Sequence, residues 1–240
     1  MECQSRSVWR GKYSEHHNLW NLPVSTPLLV WDIETVADPA SREASGETEN
    51  KFPKLIYHSI ICIGAMVAFR TERGWETDAV GTQTVAKQSE QELVQSFLDF
   101  VAEHQPQMVT FNGHSFDLPV LRYRAMIHGL SAPGLQSRSY YHRFTEDHVD
   151  LCDVLSSFSF GGKATLDEMS RVMGLPGKPD GMDGSQVDFY YRDGRIEEIA
   201  DYCQSDVLNT YRIWLRYELF RGRLTRDEFE ASDKQAERFT

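Results

Sequence analysis

A chain of 240 residues holds one large domain or two small ones, and its 40% apolar content is ordinary for a globular protein. The formal net charge of −11 excludes a broadly basic surface that would capture nucleic acid indiscriminately, and no apolar run reaches the length of a membrane span. The polar N-terminus lacks the apolar core of a signal peptide, and Cys3, Cys62, Cys152 and Cys203 form no Cys-x-x-Cys pair, so a cytoplasmic protein without disulfides, structural zinc or a membrane partner is expected.

Residues 1–27 are polar and carry Trp9, Trp20, Pro23 and Pro27, which predicts an irregular lead-in. Leu28-Leu-Val-Trp-Asp-Ile-Glu-Thr35 reads as an apolar strand ending in two carboxylates. The turn-rich stretch from Asp38 to Asn50 predicts a mobile surface loop. Ser59–Arg70 is nearly continuous in apolar residues, as in an interior strand, and Gly74–Val80 alternates like an edge strand, so the first three strands form a meander.

Ser89 and Glu92 make a capping box, and Leu93, Val94, Phe97, Leu98 and Val101 recur at helical spacing, predicting a helix over 90–104. Met108–Phe111 reads as a short buried strand ended by Asn112-Gly113, and Phe116–His128 as a helix with Pro119 in its first turn. Val149 ends another short strand, with Asp150 capping a helix through Ser157. Thr165 and Glu168 form a second capping box that opens a helix to Met173, and the glycine- and proline-rich run from Gly174 to Gly184 is a loop. Arg195–Leu219 is a long helix with Ile199, Cys203, Val207, Tyr211 and Trp214 on its buried stripe, and the polar tail Arg221–Thr240 is expected to fray. Three strands followed by alternating helices and strands define one α/β domain over 28–220.

Acids stand at the ends of three of these elements. Asp32 and Glu34 are two apart on a strand, so they leave the same face. Asp117 follows the turn in Phe111-Asn-Gly-His-Ser-Phe-Asp117, and Tyr202 and Asp206 lie four apart on the long helix and share one of its faces. Each has an ordinary explanation alone: a strand end in solvent, an acid at a helix N-terminus, an exposed helix acid, a core aromatic. Together those explanations require four coincidences in order.

Asp-Ile-Glu-Thr (32–35), Asn-Gly-His-Ser-Phe-Asp (112–117) and Tyr-Cys-Gln-Ser-Asp (202–206) resemble the three motifs of the DEDDy class of 3′–5′ exonucleases on the ribonuclease H-like fold. A histidine variant of that class would carry His at 201, where this chain has Asp201. Asp150-Leu-Cys-Asp-Val-Leu155, Gly174-Leu-Pro-Gly-Lys178, Asp183-Gly-Ser-Gln-Val187 and Tyr202-Cys-Gln-Ser-Asp-Val207 extend the resemblance to a bacterial family related to the exonuclease domain of family-B DNA polymerases, over roughly residues 28–220. No polymerase module follows before residue 240, so a stand-alone nuclease is expected.

The resemblance implies a mixed sheet flanked by helices and a phosphodiester hydrolase that removes nucleotides from the 3′ end of single-stranded nucleic acid, DNA favoured over RNA. It implies Asp32, Glu34, Asp117, Tyr202 and Asp206 as catalytic residues, the four acids holding two divalent cations, Mg²⁺ or Mn²⁺. Asp32 would bridge the cations, Glu34 and Asp206 would complete the one that activates water, Asp117 would hold the other, and Tyr202 would orient the water. Thr35, Asn112 and Phe116 are the expected substrate contacts, with turn formation and core packing as alternatives for Asn112 and Phe116. Arg122, Arg124, Arg138, Arg143, Lys163 and Lys178 lie in segments that could rim the cleft. The alternatives are a 3′–5′ exoribonuclease and a catalytically idle nucleic-acid-binding module on the same fold.

Overall fold

The computed structural model describes residues 26–46, 53–159, 161–177, 182 and 184–239. Trp9, Trp20 and Lys178 lie outside the described residues. Strand β1 (Leu28–Ala37) is the middle of a five-stranded mixed sheet. It pairs antiparallel with β2 (His58–Thr71), which pairs antiparallel with β3 (Gly74–Thr84). On its other side β1 runs parallel to β4 (Gln107–Thr110), which runs parallel to β5 (His148–Asp150). The meander, the interior position of β2 and the edge position of β3 are as expected, giving the order β3-β2-β1-β4-β5 of an α/β, ribonuclease H-like sheet.

Both faces of the sheet are covered. The period of two along β1 sends Leu29, Trp31 and Ile33 into one core, against α2 (Glu90–His104) and α3 (Asp117–Ile127). Leu28 and Val30 enter the other core, against the long helix α7 (Ile196–Phe220). Asp32 and Glu34 continue that second set, so their carboxylates fall on the α7 side by the same alternation that buries Leu28 and Val30. Among the described residues, no helix is long and apolar enough to cross a membrane.

Three local expectations are corrected. Part of the loop from Asp38 is a short helix, α1 (Pro39–Ser45), whose Asp38 side chain accepts from the Ala40 and Ser41 N–H groups and whose Gly46 closes it in the left-handed region. The cap, the proline at the first position and the terminal glycine were all visible; the lack of apolar residues hid them. Short helices α4 (Leu151–Leu155) and α5 (Leu166–Val172) stand where expected, but α6 (Val187–Arg192) was unread.

The tail does not fray. Helix α8 (Arg226–Ala236) opens with the capping box of Thr225 and Glu228 and buries Phe229, Ser232 and Ala236. Asp233 takes a two-pronged bond from the Arg212 guanidinium of α7 at 2.7 and 2.9 Å. The Ser232 hydroxyl accepts the Trp75 N–H at 2.9 Å, and the Gln235 amide oxygen accepts the Thr77 N–H at 3.2 Å. A mostly polar sequence conceals a helix that docks through hydrogen bonds and ion pairs from Arg70, Arg212 and Arg216 as well as through buried Phe229 and Ala236.

This docking depends on Gly74, at φ +117, where an added Cβ would lie 2.4 Å from Ser232 Oγ and 2.6 Å from the Glu228 carbonyl oxygen. Gly74→Ala is expected to destabilise the protein by about 2–3 kcal/mol, a fall in Tm of roughly 4–12 °C. Gly46→Ala, with φ +70 but nothing within 4 Å, is expected to cost only about 1–2 kcal/mol. Thermal unfolding of the two variants compares them; equal losses would show that contact with α8 is not what constrains position 74.

Candidate active site

The sheet opens where β4 ends. β1 pairs with β4 only over Leu28–Val30, leaving Trp31–Ala37 without a parallel neighbour among the described residues. In that gap the chain turns through Asn112, at φ 69, and enters α3 at Asp117. The Asp117 carboxylate fills the vacated position by accepting the Ile33 N–H at 3.1 Å. The third segment comes from α7, which crosses the β1–β2 pair closely because Gly64 stands opposite Asp32. Directly opposed residues share a face, so a side chain at 64 would point into α7, its Cβ 2.8 Å from Cys203 Sγ. Cys203 Sγ in turn sits 3.7 Å from the Asp32 carbonyl oxygen and 3.7 Å from its Oδ2.

Asp32, Glu34, Asp117 and Asp206 therefore come within electrostatic reach of one another. Glu34, Asp117 and Asp206 are buried and Asp32 half-buried. Burial first, then the charges of Asp117, Glu34 and Asp206, push the Asp32 carboxyl well above the usual carboxylate range. Asp117 is pushed up to about 7, chiefly by burial and against the lowering effect of its bond from Ile33. The Tyr202 hydroxyl is buried and bonded to Asp206; burial and then the charges of Asp206, Glu34 and Asp32 push it far above the ordinary phenol range. It is a hydrogen-bond donor at any working pH.

Buried carboxylates that raise one another's pKa need a compensating positive charge to ionise together. The donor set is rich in carboxylate oxygen, which suits a hard divalent cation, and ligand atoms of Asp32, Glu34 and Cys203 lie within 4.8 Å of one another. The residues fit a divalent metal. A second group, His114, Asp150 and Asp153, is equally close but already engaged. Asp150 accepts the N–H groups of Asn112 (2.8 Å), His114 (2.9 Å) and Cys152 (3.0 Å), and Asp153 accepts from Arg143 and Lys163. Asp150 thus fastens the turn that delivers Asp117, besides capping α4.

The expected substrate contacts are differently placed. Thr35 follows a β-bulge, its hydroxyl 2.8 Å from His58 Nδ1. Asn112 is exposed, and the half-buried Phe116 ring meets His58 edge-on at 5.2 Å. Of the cations, Arg124 is no rim residue: it is buried against Glu90 and Asp38. Arg138 is held by Asp147, and Arg122 lies over Tyr141. Sequence reading missed Gly64, although a glycine inside an apolar strand signals close approach, and it took Cys203 for core packing alone.

The mixed strand order with helices on both faces defines an α/β domain of the ribonuclease H-like fold. The chain belongs to the family described as a predicted 3′–5′ exonuclease related to the exonuclease domain of PolB, whose sequence profile matches residues 50–240. Asp32 and Glu34 precede the matched segment. The structure of the family B DNA polymerase from the hyperthermophilic archaeon Pyrobaculum calidifontis is similar, with a TM-score of 0.56 over 80% of this chain at 20% identity. At that identity the likeness is one of fold, and the chain spans 24% of the polymerase chain. No curated protein sequence matches it.

Proposed function

We propose that the protein is a DEDDy-type 3′–5′ exonuclease that uses two divalent cations, Mg²⁺ or Mn²⁺, to release nucleoside monophosphates from single-stranded nucleic acid, with DNA preferred. The observation that carries this reading is the convergence of Asp32, Glu34, Asp117 and Asp206 from three separate segments despite the electrostatic cost. Two bound cations would supply hydroxide near neutral pH and stabilise the leaving 3′-oxygen. Asp32 would bridge them, with Glu34 and Asp206 on one and Asp117 on the other.

The reaction adds the water oxygen to phosphorus and breaks the bond from phosphorus to the 3′-oxygen; the water gives up its protons to solvent, and the leaving 3′-oxygen takes one from solvent to become the hydroxyl of the shortened strand. Tyr202 cannot be the base, because its hydroxyl stays protonated; it donates its one O–H to Asp206 and orients the attacking water by accepting a hydrogen bond from it. We assign Thr35 and the exposed Asn112 to the terminal nucleotide. The packing of Phe116 on His58 supports a wall of the cleft rather than a freely stacking ring.

The test uses 5′-labelled single strands of DNA and RNA of one sequence, with Mg²⁺, Mn²⁺ or EDTA. The expected result is a metal-dependent ladder shortening from the 3′ end, faster on DNA. Tyr202→Phe should lower kcat by about 10–100-fold with an unchanged pH profile. Folded protein that cuts neither strand with either metal would sink the reading and favour a binding module.

A further inference from the structure

Beside the proposed cleft the chain builds a second feature that hydrolysis alone does not require. Phe144, in the segment before β5, offers its ring to solvent and is 79% exposed. Its ring lies 4.6 Å from that of Phe158, tilted by 57°. Phe158 reaches that position because Ser157 and Phe158, two consecutive non-glycine residues, adopt φ of 53 and 59. Left-handed backbone is unfavourable for such residues and persists where the surroundings impose it. Here the Phe158 N–H donates to the Asp153 carbonyl at 2.7 Å, turning the chain back over α4.

Two cations border the rings. The Arg143 guanidinium lies 5.9 Å from the Phe158 centroid and binds Asp153. Lys163 Nζ binds the same carboxylate at 2.9 Å. Asp153 is 1% exposed, so one buried negative charge gathers two partly exposed positive ones at the surface. Asp153 stands one helical turn from Asp150, whose carboxylate holds the Asn112–His114 turn at the cleft. The rings and cations therefore adjoin the cleft, at the carboxyl ends of the parallel strands.

An exposed ring with a rigid neighbour and a local positive charge has the chemistry of a single-strand platform: bases stack on the ring and phosphates meet the cations. We propose that Phe144 and Phe158, with Arg143 and Lys163, form a subsite for single-stranded nucleic acid upstream of the 3′-terminal nucleotide. It rests on the exonuclease reading for its direction along the strand. It also accounts for how a chain of net charge −11 holds a polyanion: the attraction is local.

The test measures fluorescence anisotropy of a 5′-labelled twelve-nucleotide oligothymidylate in EDTA, so that binding is read without cleavage. Phe144→Ala is expected to weaken binding by about tenfold, Phe144→Tyr to restore it, and Arg143→Gln to reduce the salt slope by about 0.7. Turnover of the p-nitrophenyl ester of thymidine 5′-monophosphate, which has no upstream bases, should be unchanged in Phe144→Ala. Equal affinity of wild type and Phe144→Ala for the oligonucleotide overturns the subsite, and so does a matching loss on the ester. Wild-type protein that leaves the ester intact but binds through Phe144 would defeat the exonuclease reading and leave the subsite standing.

Discussion

Asp32→Asn is expected to abolish 3′-end hydrolysis while making the metal-free protein more stable. Loss of a single preorganised electrostatic partner already lowers kcat by about 10²–10³, and on the proposed function, in which Asp32 is shared by two cations, its loss should lower kcat by at least about 10³. Stability moves the other way because Asp32 is held near three other acids, with its pKa raised by burial and by their charges. A raised carboxyl contributes fully to stability below its unfolded pKa, and that contribution is lost as pH climbs through the folded value. For Asp117 that folded value is about 7. Metal-free wild type should therefore lose Tm between about pH 4 and pH 8, and Asp32→Asn should flatten the decline. Each kcal/mol relieved corresponds to about 2–4 °C. Mg²⁺ or Mn²⁺ should raise the wild-type Tm more at pH 8 than at pH 5, and raise that of the variant less. Calorimetry across pH with and without metal reads all of this. A variant less stable than wild type at pH 8 would show that Asp32 is held by compensating bonds rather than by a metal.

Gly64→Ala is the second large effect, and it acts through the seating of α7 behind Asp32 rather than by removing a polar group. The new methyl group would meet Cys203 Sγ at 2.8 Å, Val207 Cγ2 at 3.1 Å and the Cys203 carbonyl oxygen at 3.3 Å. A packed interior cannot absorb that without moving α7, at a cost of about 1–3 kcal/mol. Because Tyr202 and Asp206 ride on α7, a shift of about 1 Å should lower kcat on the order of 10²-fold. Removing the sulfur relieves the closest contact, so Gly64→Ala with Cys203→Ala should recover part of both losses. The cycle of single and double variants, assayed for Tm and turnover, gives a coupling energy expected to be about 1 kcal/mol or more. Additive losses would mean that the helix is not seated by this contact.

The alternation of Leu28, Val30, Asp32 and Glu34 was legible because a strand sorts its side chains by parity, so two acids following two apolar residues share their direction. Capping boxes at Ser89, Thr165 and Thr225 mark true helix starts. The first two were read and the third was not, because the residues after it lack an apolar stripe. What no local pattern contains is the convergence itself. That Asp117 bonds Ile33, 84 residues earlier, follows from the gap left by a short β4. Strand length at a parallel crossover is set by the sheet, not by the neighbouring sequence. Asp150 shows the same limit: its capping role was local and visible, while its grip on the Asn112 turn crosses between strands.

The docking of α8 has a consequence for how the molecule coexists with its own copies. An outer strand ordinarily presents N–H groups that another chain's strand could pair with, the route by which sheets grow between molecules. At β3 two of those groups, on Trp75 and Thr77, are already occupied by the side chains of Ser232 and Gln235. A polar helix thus ends the sheet at its β3 edge and occupies groups that self-association would use, without adding an exposed apolar surface of its own.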